Sequence, residues 1–204
     1  MDLVNSLGIL LGSSWGSGVN LYLTTAALGI AHRLEWISLP GNLETLSQPP
    51  VIFLAIMLYL VEFIADKIPY IDSLWDSVHT LIRPIGGAVL GYLAMGDYGP
   101  LAQIPAALTT GSIALDSHLT KATTRAAINT SPEPFTNAIA SVAEDVSVGG
   151  ILFLMVTYPA ITILLVALFL LFSFWFLKKM VRFIKAVFHP SRKRPPVDLQ
   201  LSSS

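Results

Sequence analysis

The chain has 204 residues, of which 53% are hydrophobic and only 12% charged, with a net charge of −1 and a mean hydropathy of +0.67. The charged share is about half the roughly 25% of an ordinary soluble domain, which excludes a disordered chain and argues against a soluble globular one. No cationic excess exists to neutralise phosphates, so no nucleic-acid partner is expected. An integral membrane protein is what remains. Cysteine is absent, which removes disulfides, thiolate metal sites and cysteine nucleophiles together.

Leu3 to Ala31 carries no charge and exceeds the roughly 20 residues that span a bilayer. Its middle, Gly12-Ser13-Ser14-Trp15-Gly16-Ser17-Gly18, weakens a helix and predicts two half-helices or one sharp bend within the bilayer. Asp2 follows Met1 and no Lys or Arg precedes the apolar run, so the flanks do not predict a cleavable signal peptide. His32 to Pro50, with Pro40-Gly41 and Pro49-Pro50, reads as a loop. Val51 to Ala65 is a transmembrane helix carrying Glu62, closed by Asp66-Lys67.

Asp72, Asp76, His79 and Arg83 fall within about 60° of one another on a helix, opposite Leu74, Trp75, Val78, Leu81 and Ile82. This predicts an amphipathic helix between Pro69 and Pro84, at the membrane interface or packed on the bundle. Pro84 to Gly99 is Gly-rich and reads as a short or re-entrant segment, with Gly87-x-x-x-Gly91 as a close-packing seam. Leu101 to Leu115 is apolar and runs into a polar helix, Asp116 to Asn129, which Thr130-Ser131-Pro132-Glu133-Pro134 breaks. Phe135 to Asp145 is a short helix. Val146 to Leu177 is free of charge and as one helix would be about 48 Å long against roughly 30 Å of hydrocarbon. Pro159 is the expected kink, Gly149-Gly150 the flexible entry and Lys178-Lys179 the stop.

The tail holds Lys178, Lys179, Arg182, Lys185, Arg192, Lys193 and Arg194, seven of the chain's 12 Lys and Arg. The positive-inside rule places this end in the cytoplasm. Met180, Phe183, Ile184, Val187 and Phe188 interleave with the charges, which suits an interfacial extension on anionic lipid headgroups. The expected organisation is one integral-membrane domain, 1–188, and a basic disordered tail, 189–204.

The polar constellations suggest a site. Glu62 lies within a spanning helix, where a carboxylate faces other helices or water and often meets a cation or proton. Asp66, at the next turn, is expected near the headgroups with Lys67. His118, Lys121, Arg125 and Asn129 share a stripe that suits an anion such as phosphate or carboxylate, or else a solvated helix whose cations touch lipid phosphates. Glu144 closes the short helix before the long apolar run. Asp72, Asp76 and His79 share a face that reads as solvated rather than as a metal site, and no metal is expected. A weak internal echo relates two parts: Pro50 precedes Glu62, and Pro132 precedes Glu144, by the same interval. Such duplication is the plan of many transporters.

Enzyme motifs fail. Arg83-Pro84 is present without the P-S-G-H of acid-type membrane phosphatases, and the D-G-x-x-A-R array, G-x-S-x-G, H-E-x-x-H and the phosphate loop are absent. No catalytic residue and no cofactor are expected.

The stretches Val61-Glu62-Phe63-Ile64-Ala65-Asp66-Lys67-Ile68-Pro69 through Asp72, Trp75-Asp76-Ser77-Val78-His79 and Arg83-Pro84 resemble a bacterial integral-membrane family known as a domain of unknown function, DUF4126. Gly16-Ser17-Gly18-Val19-Asn20-Leu21-Tyr22-Leu23-Thr24, Thr120-Lys121-Ala122-x-x-Arg125, Asn129-x-Ser131-Pro132-Glu133-Pro134, Asn137 and Glu144-Asp145 resemble it as well, over about residues 5 to 175. The resemblance implies the membrane class and no activity.

The sequence therefore predicts an all-α, polytopic protein of the inner membrane. Five or six membrane segments are expected, broken or re-entrant ones among them, plus an amphipathic helix. The expected function is a small homo-oligomeric transporter or channel-like protein with an anion- or ion-binding site at Glu62, His118, Lys121, Arg125, Asn129 and Glu144. The alternative is a structural or accessory protein that scaffolds a complex or binds lipid headgroups.

Overall fold

The computed structural model describes residues 3–129 and 134–188, with the side chains of 69, 134 and 183–188 left aside. Six α-helices follow in order: α1 Leu3–Arg33, α2 Pro49–Ala65, α3 Pro69–Ala94, α4 Pro100–Ile128, α5 Pro134–Thr157 and α6 Pro159–Phe188. Short 3-10 turns at Gly41–Ser47 and Gly96–Tyr98 link α1 to α2 and α3 to α4. Among the described residues the fold is all-α, as the sequence predicts.

The bundle is turned outside in. Phe53, Leu54, Met57, Leu60 and Ile64 of α2 and Leu164, Leu168, Leu171 and Phe174 of α6 are exposed, while Glu62, Asp72, Asp76, Arg83, Lys121 and Arg125 are buried. That distribution is compatible with a helix bundle surrounded by hydrocarbon. By length and hydropathy, two helices are able to cross a membrane, Phe135–Thr157 and Pro159–Arg182. A third span results if the 3-10 turn Gly41–Ser47 and α2, bent by 70°, act as one. The five or six spans expected from sequence are thus not met by this measure. α3 and α4 bury Asp72, Asp76, Arg83, Lys121 and Arg125, and α1 buries Ser13, Ser14, Ser17 and Thr24; these polar residues, with exposed ones such as Ser73, Ser77, Ser112 and Thr124, lower the mean hydropathy of the three helices.

Several expectations need correction. α1 does break, but at Asn20 (φ −149, ψ 97) rather than within the Gly/Ser run. That run stays helical because it is packed: Ser14 Oγ donates to Thr110 O at 2.6 Å, and Ser117 Oγ donates to Trp15 O at 3.0 Å. A Cβ on Gly18 would collide with the Ala114 carbonyl and the Ser117 hydroxyl. Asn20 starts the second half-helix, and its Oδ1 accepts the Leu23 N–H at 2.9 Å, an N-cap.

Pro84 does not end α3. The helix runs through it to Ala94, so the re-entrant segment expected at Pro84–Gly99 is instead the second half of α3. One lost backbone hydrogen bond is tolerated because α3 lies tightly on α4. Gly87 faces Ala114 and Ser17, and Gly91 faces Thr110 and the Ala106 carbonyl. The Gly-x-x-x-Gly seam is thus spent inside the chain. The amphipathic helix is also inverted: Leu74, Val78 and Leu81 are exposed, and its polar side is buried.

α5 does not stop at Asp145 and passes straight through Gly149-Gly150 to Thr157. The break before Pro159 is where it was expected. α6 runs past Lys178-Lys179 to Phe188, the extension of the last helix that the sequence predicts. A polar tie to α4 is the hydrogen bond from Ser173 Oγ to Asp116 Oδ2. The helix break expected across Thr130–Glu133 and the tail beyond Phe188 lie outside the described residues.

Candidate functional site

The centre of the bundle is a cluster of charges gathered from α2, α3, α4 and α5 around the break in α1. Helical spacing brings them there. Glu62 and Asp66 lie one turn apart on α2; Asp72, Asp76, His79 and Arg83 line the inner face of α3; His118, Lys121 and Arg125 line that of α4.

Arg83, 0% exposed, donates from Nη2 to Glu62 Oε1 at 2.8 Å and from Nη1 to the Gly18 carbonyl at 3.2 Å. Asp76 Oδ1 lies 3.4 Å from the same Nη1. Lys121 Nζ sits among the Val19 carbonyl at 3.3 Å, Asp66 Oδ2 at 3.1 Å, Glu62 Oε1 at 3.5 Å and Glu144 Oε2 at 3.3 Å. Arg125 grips Glu144 with two bonds, Nε to Oε1 at 2.8 Å and Nη2 to Oε2 at 2.9 Å. It also donates from Nη1 to the Asp66 and Asn137 carbonyls.

The break in α1 is part of the site. A helix interrupted at Asn20 frees carbonyls at the end of its first half, and a buried carbonyl needs a donor. Arg83 takes Gly18 O and Lys121 takes Val19 O. On the other side of the break, Asn20 Nδ2 donates to Asp145 Oδ1 at 3.1 Å, and Tyr59 Oη donates to Asp145 Oδ2 at 3.0 Å. Thus α2 and α5 together hold the discontinuity.

His118 is neutral by its partners: its Nδ1 lies 2.7 Å from Arg83 Nη1, which can only donate, so Nδ1 accepts and Nε2 carries the proton toward the Asp76 carbonyl at 3.1 Å. His79 Nδ1 carries a proton toward the Trp75 carbonyl at 2.8 Å, and its Nε2 meets the Tyr22 hydroxyl at 2.9 Å.

The structure brings Glu62, Lys121 and Glu144 to one point, with Arg125 on Glu144 and His118 on Arg83. Asn129 sits at the rim: it ends α4, donates to Asp72 Oδ2 at 2.9 Å and accepts from Asn137 Nδ2 at 2.8 Å. Asp66 corrects its expected pairing with Lys67, since it faces Lys121 and Arg125. Lys67 instead lies over the Phe63 ring. Asp72, Asp76 and His79 are buried, not solvated. No three His, Asp or Glu among the described residues are arranged to hold a metal ion.

Sequence reasoning overlooked Arg83, Asp66, Asp76 and Asn20 as members of the site. The signal for the α3 residues was present: in a chain this poor in charge, four ionisable or polar groups on one helical face point inward. The Asn20 break had none beyond the Gly/Ser run beside it.

Charge balance decides what the cluster suits. Five carboxylates (Glu62, Asp66, Asp72, Asp76 and Glu144) meet three cations (Arg83, Lys121 and Arg125). Glu62 Oε2, Asp66 Oδ1, Asp72 Oδ1 and both Asp76 oxygens are buried without a hydrogen-bond partner among the described residues. The basic stripe of α4 is therefore already matched by acid. Access comes from the side. A pocket of about 280 Å³ between α1, α4, α5 and α6 ends on Lys121 and Glu144.

Fold and site together define a helical protein with membrane-compatible apolar helices and an acid-rich buried charge cluster at a broken helix. The chain belongs to the family described as Domain of unknown function (DUF4126), whose family model matches residues 7–179. That range takes in every residue of the cluster. No curated protein and no solved structure matches the chain.

Proposed function

We propose that this protein is a small membrane transporter or channel-like protein that handles a cation, the proton included, at the cluster around Lys121. The observation that carries this reading is the excess of buried carboxylates over cations, with carboxylate oxygens left without donors. A buried charge without compensation costs several kcal/mol, and a fold retains such a cost where the charge serves a function. Discontinuous helices with freed carbonyls at the centre of a bundle are the architecture in which transporters bind coupling ions. Glu62 and Glu144, from separate parts of the chain, both face Lys121, which fits the duplicated plan.

The proposed topology is multi-pass, with the basic C-terminal end in the cytoplasm, and neighbouring copies cover the exposed faces of α2 and α6. The second reading, an accessory protein that scaffolds a complex or binds lipid headgroups, draws on the tightness of the cluster: of its charged side chains only Glu144 reaches 17% exposure. Purified protein in liposomes loaded with a pH-sensitive dye separates the two. Transport predicts a proton or monovalent-cation flux above that of empty liposomes, lost in Asp76→Asn and Glu62→Gln. Equal flux with and without folded protein, under both proton and cation gradients, overturns transport and leaves the accessory reading.

A further inference from the structure

We propose that the oxygen cage around the Lys121 ammonium is a binding site for a small primary amine or ammonium ion, which the protein fills with its own side chain until a ligand enters from the lateral pocket. The inference rests on the cation reading of the cluster and names its ligand class.

Four oxygens surround Nζ: the Val19 carbonyl and one oxygen each of Glu62, Asp66 and Glu144, at 3.1 to 3.5 Å. The Val19 and Asp66 contacts are hydrogen bonds, and the Glu62 and Glu144 contacts are longer ion pairs. No metal-type grouping exists among the described residues. The cage thus holds one ammonium group already, that of Lys121. Beside it, Glu62 Oε2 and Asp66 Oδ1 are buried with no hydrogen-bond partner among the described residues, so donors are fewer than acceptors here.

The pocket that reaches this cage suits an amine with a little apolar body. Trp15 and Phe169 form its wall, with rings edge-on at 5.6 Å, and aromatic surfaces attract cations. Ala140 and Ala143 keep it open, and Lys121 and Glu144 stand at its inner end. At about 280 Å³ it is at the small end of ligand pockets, roughly 300–1,000 Å³. Lys121 has a flexible four-carbon stem, so its head group is able to withdraw into the pocket while an incoming ammonium takes the same four oxygens. The charge of the cage is unchanged by the exchange.

The test is chemical rescue. Lys121→Ala, purified in detergent with and without methylammonium, should melt lower than wild type. Its Tm should climb with the logarithm of methylammonium concentration, with an apparent affinity at least about tenfold weaker for tetramethylammonium, which has no N–H to donate. Sodium chloride at equal ionic strength should do nothing comparable. Lys121→Ala combined with Glu144→Gln, which removes one cage acid, should lose most of the rescue. Nanodiscs distinguish the source: stabilisation by phosphatidylethanolamine over phosphatidylcholine assigns a lipid amine, and stabilisation by methylammonium alone assigns a free one. Folded Lys121→Ala that responds to neither, or responds equally to sodium, overturns the site. So does a Lys121→Ala and a Lys121→Gln that both fail to fold even when prepared in methylammonium. Because the readout is stability, its failure leaves the flux test of the transport reading standing, and a failed flux test leaves this one.

Discussion

Removing Glu62 should uncover a strong, specific coupling to Arg83. Both side chains are 0% exposed and meet at 2.8 Å. Breaking a buried ion pair from one side costs about 3–5 kcal/mol, because the surviving charge is left in a medium that solvates it poorly. For Glu62→Gln the lower end applies, about 3 kcal/mol, since Arg83 keeps Asp76, His118 and the Gly18 carbonyl. For Arg83→Met the upper end applies, about 5 kcal/mol. It strips Glu62 of its shortest partner, frees the Gly18 carbonyl and leaves Asp76 without its cation. The double variant removes both charges of the pair, so its loss should fall short of the sum by about 3 kcal/mol, the top of the range for directly paired residues. At roughly 2–4 °C per kcal/mol for a chain of this size, Glu62→Gln alone should lower Tm by about 6–12 °C in detergent. Asp116→Asn supplies the reference, because Asp116 pairs with Ser173 on α6 and shares no partner with Glu62. That second cycle should be additive to within about 0.5 kcal/mol. Additivity in the Glu62–Arg83 cycle would refute the pairing and with it the α2–α3 arrangement of the cluster.

Asn20→Ala should cost about 1–2 kcal/mol, since it removes the cap on Leu23 and one bond to Asp145; a thermal melt reads it, and an unchanged Tm would mean that the break does not depend on this side chain. Gly18→Ala should be worse than any surface substitution, at least about 3 kcal/mol, because the methyl has backbone of Ala114 in its way. Expression and detergent monodispersity check this, and a well-behaved variant would contradict the α1–α4 contact. A reporter fused after Ser204 should be active only as a cytoplasmic type, given the basic residues from Lys178 onward, and periplasmic activity would reverse the topology.

How much of this was legible in the sequence differs by residue. The all-α fold with membrane-compatible apolar helices follows from composition and apolar runs, and α2 and the break before Pro159 follow from an apolar run and a proline. The inward placement of Lys121 and Arg125 follows from the cost of charge in hydrocarbon. The same rule applies to Asp72, Asp76, His79 and Arg83, yet their regular spacing also fits a helix lying in the interface. Periodicity gives a face and not the direction in which it points. What reverses the reading is the length of the helix: α3 continues through Pro84 because Gly87 and Gly91 dock it on α4, and a helix held that way must turn its polar side to the partner. The break in α1 shows a related ambiguity. A run of glycine and serine weakens a helix in isolation, but in a bundle the same small residues are what let two backbones approach, so the run packs and the break falls on the first residue able to cap a new start, Asn20. Which acid meets which base is set last. Glu62 reaches Arg83 rather than Arg125, and Arg125 reaches Glu144, because α3 lies against α4 at Gly87 and Gly91 while α1 lies against α4 at Gly18. Those contacts join residues far apart in the chain, and no spacing within a single helix encodes them.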